Sequence, residues 1–433
     1  MRTLNASING RAVGSLTDNN GVWEFRYDND WIAFDTSFAL SPNLPLQVEA
    51  HIDDASQRQV QWYFDNLLPE ENQRTLLARD AIIDQADAFA LLEHYGAESA
   101  GSLTLLPPDT FQDPDNDGAE VLDDAQLDER INKLSSLPLT HGANKRMSLA
   151  GAQHKLAVIY AQNQLYEPRG HAASTHIIKP DHPSVDSAQS VINEWFVMQL
   201  AGRVGLTVPP VHRRYVPSAL YIIERFDRIT DNKLVKRLHS IDACQLLGMD
   251  ATYKYQHGSV QRLSDIANAC RSTALTRTRL FSWLVFNVLV GNTDAHLKNL
   301  SFMVSHEGIE LAPMYDLFST AVYETRAFDG KTWPTQTRMA WPLPDAEFVS
   351  DISVDVLLKT ATDLGLKKVT AQRLLNHQLD KIMTAAQSLY EQMVSENERA
   401  TMGGQGERIT AESRCVRSII HSIIEPMVKQ LGG

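Results

Sequence analysis

The first 50 residues alternate apolar and polar positions and are rich in Gly, Asn and Asp. A period of two predicts a small β-rich module. Within it, "WEFRYDNDWIAFD" (23–35) reads as strand-like aromatics around an Asp-Asn-Asp turn. The period then lengthens. "RQVQWYFDNLLPEENQRTLLARDAI" (58–82) turns helical, and "ADAFALLEHYG" (86–96) predicts a second helix ending at Gly96. From 147 the pattern is strand, helix, strand. "KLAVIYA" and "STHIIKP" are β-rich, "SAQSVINEWFVMQLAGRVGL" (187–206) is helical, and "ALYIIERFDR" (219–228) is a strand running into charge. Beyond about 236 helical signals dominate. "PDAEFVSDISVDVLLKTATDLGL" and "RLLNHQLDKIMTAAQSLYEQMV" are amphipathic, and "RATMGGQGERIT" is a break before a final helix. The expectation is an α+β chain with a β-rich front, a mixed middle and a helical back. It divides into 1–106, 107–140, 141–226 and 227–433.

Residues 107–129 change character. "PPDTFQDPDNDGAEVLDDAQLDE" carries nine acids and no base, which predicts an exposed acidic linker or loop. Asp113, Asp115, Asp117, Gly118 and Asp124 also stand at calcium-loop offsets. The twelfth position of such a loop wants a bidentate Glu, and Pro114 and Glu120 fit poorly, so the solvated reading is favoured.

Composition narrows the class. Hydrophobic content is 43% and charged content 21%, ordinary for a globular protein. The net charge of -13 excludes an overall basic footprint for nucleic acid. Three scattered cysteines, Cys244, Cys270 and Cys415, form no CxxC pair, which speaks against a disulfide framework or a zinc site. The opening residues lack an apolar run of signal-peptide length, and no run is long enough to span a bilayer. A cytoplasmic protein without membrane contact is expected.

The candidate chemistry lies after the apolar run "RLFSWLVFNVLV". There "GNTDAHLKNLSFM" (291–303) sets Asp294 and Asn299 in the spacing D-x-x-x-x-N. Phosphoryl transfer from ATP needs a carboxylate to orient or deprotonate a hydroxyl, and an amide oxygen to bind Mg2+ near the phosphates. "LSFMV", "SHEG" and "IELAP" then predict a hairpin, and "MYDLFS" places Asp316 just past it as a second metal ligand. Upstream, Lys179 ends the apolar run of "THIIKPD", where a lone amine needs a partner. Glu194, in "INEWFVMQL", is the acid expected to orient it. "RMSLAGAQHKLAVIY" offers Gly151 and Lys155 for phosphate, with backbone amides around the glycine. "YIIERFDR" would be a hinge that meets adenine through backbone groups around Glu224–Phe226. Each element alone is weak; their order is what points to an ATP-dependent phosphotransferase.

With these residues named, the chain resembles the HipA family of bacterial serine/threonine kinases, toxins of toxin–antitoxin pairs. The likeness is carried by "NLLPEE", "MSLAGAQHKLAV", "HIIKPD", "NEWFVMQLA", "LYIIERFDR", "LVGNTDAHLKNLSFM" and "LAPMYDLFSTA". It implies a two-lobed kinase-like fold with an extra N-terminal β module. It implies ATP and Mg2+ as cofactors. By resemblance the catalytic Asp falls on Asp294, the metal ligands on Asn299 and Asp316, and the nucleotide lysine on Lys179. His296 matches the histidine of the catalytic loop, and Glu224 and Phe226 fall at the hinge. The resemblance makes Ser148 an autophosphorylation site that switches the enzyme off; a phosphate dianion on a phosphate-facing loop would repel ATP. It implies a helix-turn-helix, HipB-like antitoxin dimer and operator DNA as partners, a corepressor role, and a protein substrate, plausibly an aminoacyl-tRNA synthetase. One segment departs: "RLHSID" (237–242) stands where the family has a "RLPQED"-like run, with Asp242 retained. The catalytic loop is also similar to that of lipid kinases, so a lipid or small-molecule kinase is an alternative reading. A non-catalytic corepressor subunit is another, opposed by the joint presence of Asp294, Asn299, Asp316 and Lys179.

Overall fold

A computed structural model describes residues 1–110, 117–143, 145–147, 149–231, 234–400 and 406–432. The chain forms two compact units. The first joins Met1–Pro180, Arg214–Lys254 and Leu300–Ala312. The second joins Asp181–Arg213, Tyr255–Asn299 and Pro313–Gly433.

The first unit begins with an antiparallel sheet in the order His51–Ile52, Val22–Tyr27, Arg11–Asn19, Arg2–Ile8, Leu103–Leu106. Alternation places Leu4, Ala6, Leu16, Trp23 and Phe25 inside. Helices Gln59–Asp65 and Ala88–Tyr95 cover that face, with Phe64 and Phe89 ring-to-ring on Phe25 and Trp23. The expected turn at "DND" is instead the start of a short helix, Asn29–Ile32. The Asp28 carboxylate caps it by accepting from the Asp30 N–H. The helical stretch 58–82 is likewise two helices, because Pro69 interrupts it before Glu71–Ala81.

A second sheet of the same unit contains, in order, Ala219–Glu224, His176–Pro180, Leu156–Ala161, Gln164–Arg169 and Gly118–Val121. The last of these corrects the reading of 107–129 as loop. Gly118–Val121 is an exposed edge strand paired with Gln164–Arg169, and Asp123 caps a helix over Asp124–Ile131. Asp117 accepts from the His171 N–H, and Asp124 takes a bidentate bond from Arg214. Two of the carboxylates with calcium-loop spacing are thus engaged by protein donors, while Asp113 and Asp115 lie outside the described residues. The hairpin Ser301–Ser305 and Gly308–Leu311 forms where the alternation predicts it, joined by Ser240–Asp242.

The second unit is helical. Thr273–Val290 and Ser190–Arg203 are each buried on nearly every side over most of their length, which explains why neither has a polar stripe. Lys368–Ala400 packs on both. Segments 406–418 and 419–424 close the core with Cys415, Val416, Ile419, Ile420, Ile423 and Ile424. The expected helix over 344–366 is shorter, Val354–Asp363, because the Ser353 side chain caps it by accepting from the Val356 N–H.

Candidate active site

The second unit positions the Asp294 loop through its buried helix. Thr273–Val290 ends at Gly291, whose φ of +62° is the left-handed C-cap. A Cβ there would sit 2.7 Å from Ala321 Cβ and 2.9 Å from Ile423, so no larger residue fits. Next, a relay of amides carries order from the helix into the loop. Asn287 donates to Trp283 O, Asn292 donates to Asn287 Oδ1, and Asp294 N–H donates to Asn292 Oδ1. Asn287, the polar interruption in an apolar run, is the root of that relay. Trp341 Nε1 donates to Ala295 O from the other side. The turn then closes on itself: His296 N–H bonds Asp294 O, and Asn299 Nδ2 bonds the same carbonyl at 3.3 Å. With its nitrogen committed, the Asn299 amide has its oxygen available to a cation.

The Asp316 loop is tied to the same place. Thr320 Oγ1 accepts from the Thr293 N–H at 2.7 Å and donates to Gly291 O; Ala321 N–H also donates to Gly291 O. Asn193, fully buried on the helix Ser190–Arg203, clasps Ser319 at both backbone groups, at 2.8 and 2.9 Å. Its neighbour Glu194 is buried as well. Tyr315 OH donates to Lys298 O. Asp316 adopts φ +57°, a conformation uncommon outside glycine that occurs where the surroundings over-determine it. Asp294, His296 and Asp316 are half-buried and Asn299 is buried. An acid, an amide and a second acid therefore sit on two loops that share one set of anchors. Asn193, Asn292 and Thr320 were not singled out in the sequence; the signal was there only as polar residues inside otherwise apolar stretches.

The first unit holds the remaining candidates. Lys179 is 8% exposed and faces Tyr221 across the strand pair, with Nζ 5.7 Å from the ring centroid. Gly151, at φ +110°, is approached so closely by Lys155 that a Cβ would lie 2.6 Å from its Nζ, and Lys155 donates back to Ala150 O. Gly151 O accepts from the Glu70 N–H at 3.3 Å, so the "LPEE" segment braces the glycine turn. Met147 and Leu149 are buried in the core beneath it, while Ser148 lies outside the described residues. At the expected hinge, Glu224 is exposed and Phe226 half-buried. Between them Arg225 N–H donates to Thr175 O, which turns the flanking residues to the other side of the strand.

Arg225 itself was missed by the sequence reading. Its side chain enters a buried ionic cluster centred on Glu98, which accepts from Lys145 (3.0 Å), Arg225 (3.2 Å), Arg228 (2.8 Å), Arg237 (2.8 Å) and Ser174. Burial alone would raise the Glu98 carboxyl; the four cations hold it well below the usual carboxylate range. The "RLHSID" departure is also accounted for. His239 is buried, stacked on Phe38, with Nε2 against Leu40 O and Nδ1 against Ser102 Oγ. A carbonyl can only accept, so Nε2 carries the proton and the ring is neutral; burial pushes its pKa down to about 4. Asp242 caps the helix Ala243–Leu247 in a capping box with Gln245.

Comparison with known proteins identifies two family domains along the chain. The family model of the HipA-like C-terminal domain matches residues 147–387, and that of the HipA N-terminal domain matches 4–106. The chain is similar to "Putative kinase Y4mE" of Sinorhizobium fredii, 36% identical over 75% of this chain and 78% of the relative. It is similar to "Serine/threonine-protein kinase toxin HipA" of Shewanella oneidensis, 31% identical over 74% of this chain and 76% of that one. Its fold matches a HipA from Shewanella oneidensis MR-1 solved with HipB and operator DNA. The TM-score is 0.76 at 24% identity, over 98% of this chain and 99% of that one.

Proposed function

Because this chain belongs to the HipA family of kinases, we propose that it is an ATP- and Mg2+-dependent serine/threonine protein kinase acting as the toxin of a toxin–antitoxin pair. The observation that carries the reading is the common anchoring of the Asp294 and Asp316 loops at Gly291, Thr293 and Thr320. Asp294 orients the acceptor hydroxyl and takes its proton; Asn299 and Asp316 hold the metal. Magnesium, when bound, would neutralise charge on the transferring phosphate; two protein ligands suffice because phosphates and waters complete its shell. Lys179 binds the nucleotide phosphates, with Glu194 as the acid assigned to orient it. Gly151 and Lys155 face the phosphates, the backbone at Glu224 and Phe226 receives adenine, and His296 supports the loop on the nucleotide side. Ser148 is the self-inactivating phosphorylation site. The buried Cys244, Cys270 and Cys415 suit a reducing cytoplasm, and among the described residues no helix is long and apolar enough to cross a membrane.

A helix-turn-helix antitoxin dimer, with operator DNA, is the proposed partner; in support, the Shewanella oneidensis MR-1 HipA that shares this fold was solved with HipB and its operator DNA. Exposed Lys359, Lys367, Lys368, Arg373 and Lys381, interspersed with Asp363 and Asp380 as on an ordinary solvated helix face, are the candidates for contact with DNA phosphates within it, Lys359 being also paired with Asp345. A gel shift with the cognate antitoxin and its promoter tests this: no further retardation on adding this chain removes the DNA role.

The kinase reading is tested with radiolabelled ATP and the purified protein. Label is expected on Ser148, abolished by chelating magnesium, and reduced at least about a hundredfold in Asp294→Ala and Asp316→Ala. A wild-type protein that neither binds ATP nor takes label ends the proposal.

A further inference from the structure

We infer that Tyr255 is a positioning residue that seats its own hydroxyl on Asp294, withholding that carboxylate from water until an acceptor hydroxyl displaces it. The inference rests on the reading of Asp294 as the group that orients the acceptor. Tyr255 Oη donates to Asp294 Oδ1 at 2.5 Å. A serine hydroxyl held for transfer would donate to the same carboxylate, so phenol and acceptor compete for one seat. Hydroxyl bonds to a carboxylate are short and among the stronger ones, which makes the phenol an effective occupant.

The surroundings hold the ring there without burying it. Tyr255 packs edge-on against His296, with centroids 4.9 Å apart at 82°. It is nevertheless 44% exposed, so it can leave the carboxylate without opening the core. The residue before it is fixed. Lys254, 7% exposed, donates to Glu70 at 2.7 Å and to Glu71 at 2.8 Å. Burial alone would lower its ammonium, but the two carboxylates raise it, so it stays charged and paired.

The side reaction this arrangement suppresses is hydrolysis. Water oxygen would bond to the γ-phosphorus of ATP, the bond to ADP would break, and the water proton would pass to Asp294. With Tyr255 on Oδ1, the lone pair that would take that proton at this position is already engaged.

The test uses the full-length protein with ATP and magnesium and no protein substrate. Tyr255→Phe removes the hydroxyl and keeps the ring. Phosphate release is expected to rise about tenfold, the size of one hydrogen bond to a charged group, with the KM for ATP and the melting temperature unchanged. A merely structural tyrosine would instead lower the melting temperature and the rate together. If Asp294→Ala abolishes phosphotransfer while Tyr255→Phe leaves phosphate release unchanged, this inference is wrong and the kinase reading stands. If Asp294→Ala still transfers phosphate, the reading beneath it fails as well. Slower phosphate release in Tyr255→Phe also overturns it, as does phosphotyrosine at position 255 in the wild type, which would make the phenol an acceptor.

Discussion

His239 illustrates how a single side chain can be read in two ways. Its place in "RLHSID" invites a role in the site, yet its ring is enclosed by Phe38, Leu40, Tyr63 and Ser102. A buried neutral histidine has a consequence for stability. The unfolded ring takes a proton near 6.5, the folded one only near 4. The folded state is therefore fully stable above about pH 6.5 and loses stability as pH falls toward 4, by roughly 3 kcal/mol in all. Urea unfolding at pH 7.5 and pH 5 should show a smaller loss in His239→Gln than in wild type. Equal losses would mean that the ring is accessible to protons in the folded state.

At the scale of elements, what matters is how loops are tied to helices. Asn193 bonds both backbone groups of the fully buried Ser319 and joins the helix bearing Glu194 to the loop bearing Asp316. Asn193→Ala would leave a buried N–H and C=O without that partner, a cost of about 2–4 kcal/mol. We expect a lower melting temperature and kinase activity reduced at least about tenfold, because the Asp316 loop loses the clasp that fixes both backbone groups of Ser319. Retained activity in a destabilised variant would show that Thr320 alone holds the loop. The elements themselves were largely legible. The hairpin 301–311, the helix ending at Gly96 and the greasy helix before Gly291 follow from alternation, capping and apolar runs. The misreading at 28–32 has a plain cause: an acidic residue that looks like turn is an N-cap, and a cap shows itself only once the N–H groups it serves are placed; the strand at 118–121 is exposed throughout, so no apolar alternation marks it.

At the scale of the molecule, the boundary drawn by sequence families does not coincide with the compact units. Glu98 lies in the matched N-terminal domain, while Arg225, Arg228 and Arg237 lie in the C-terminal one, 127 to 139 residues away. All belong to the first unit, and Lys145 joins them. Glu98→Gln would leave four buried cations facing one remaining acid, Asp227, whose bonds go to Arg225, Arg228 and Gly101. The expected loss is about 3–5 kcal/mol in chemical denaturation, the size found when one partner of a buried ion pair is removed. A loss below about 1 kcal/mol would mean that water reaches the cluster.

The amino-acid sequence by itself determined the class of many of its elements, the order of the chemistry-bearing motifs, and the spacing of Asp294 and Asn299 ahead of a hairpin that leads to Asp316. These depend on local periodicity and on spacing within one loop and hairpin, which the chain carries in linear form. Tertiary structure alone decided the partners of the buried polar groups: Asn193 with Ser319, Thr293 with Thr320, Glu98 with its cations, Tyr255 with Asp294. Such pairings join residues tens to over a hundred positions apart. They are imposed by the cost of burying a polar group without a partner, which no local pattern records.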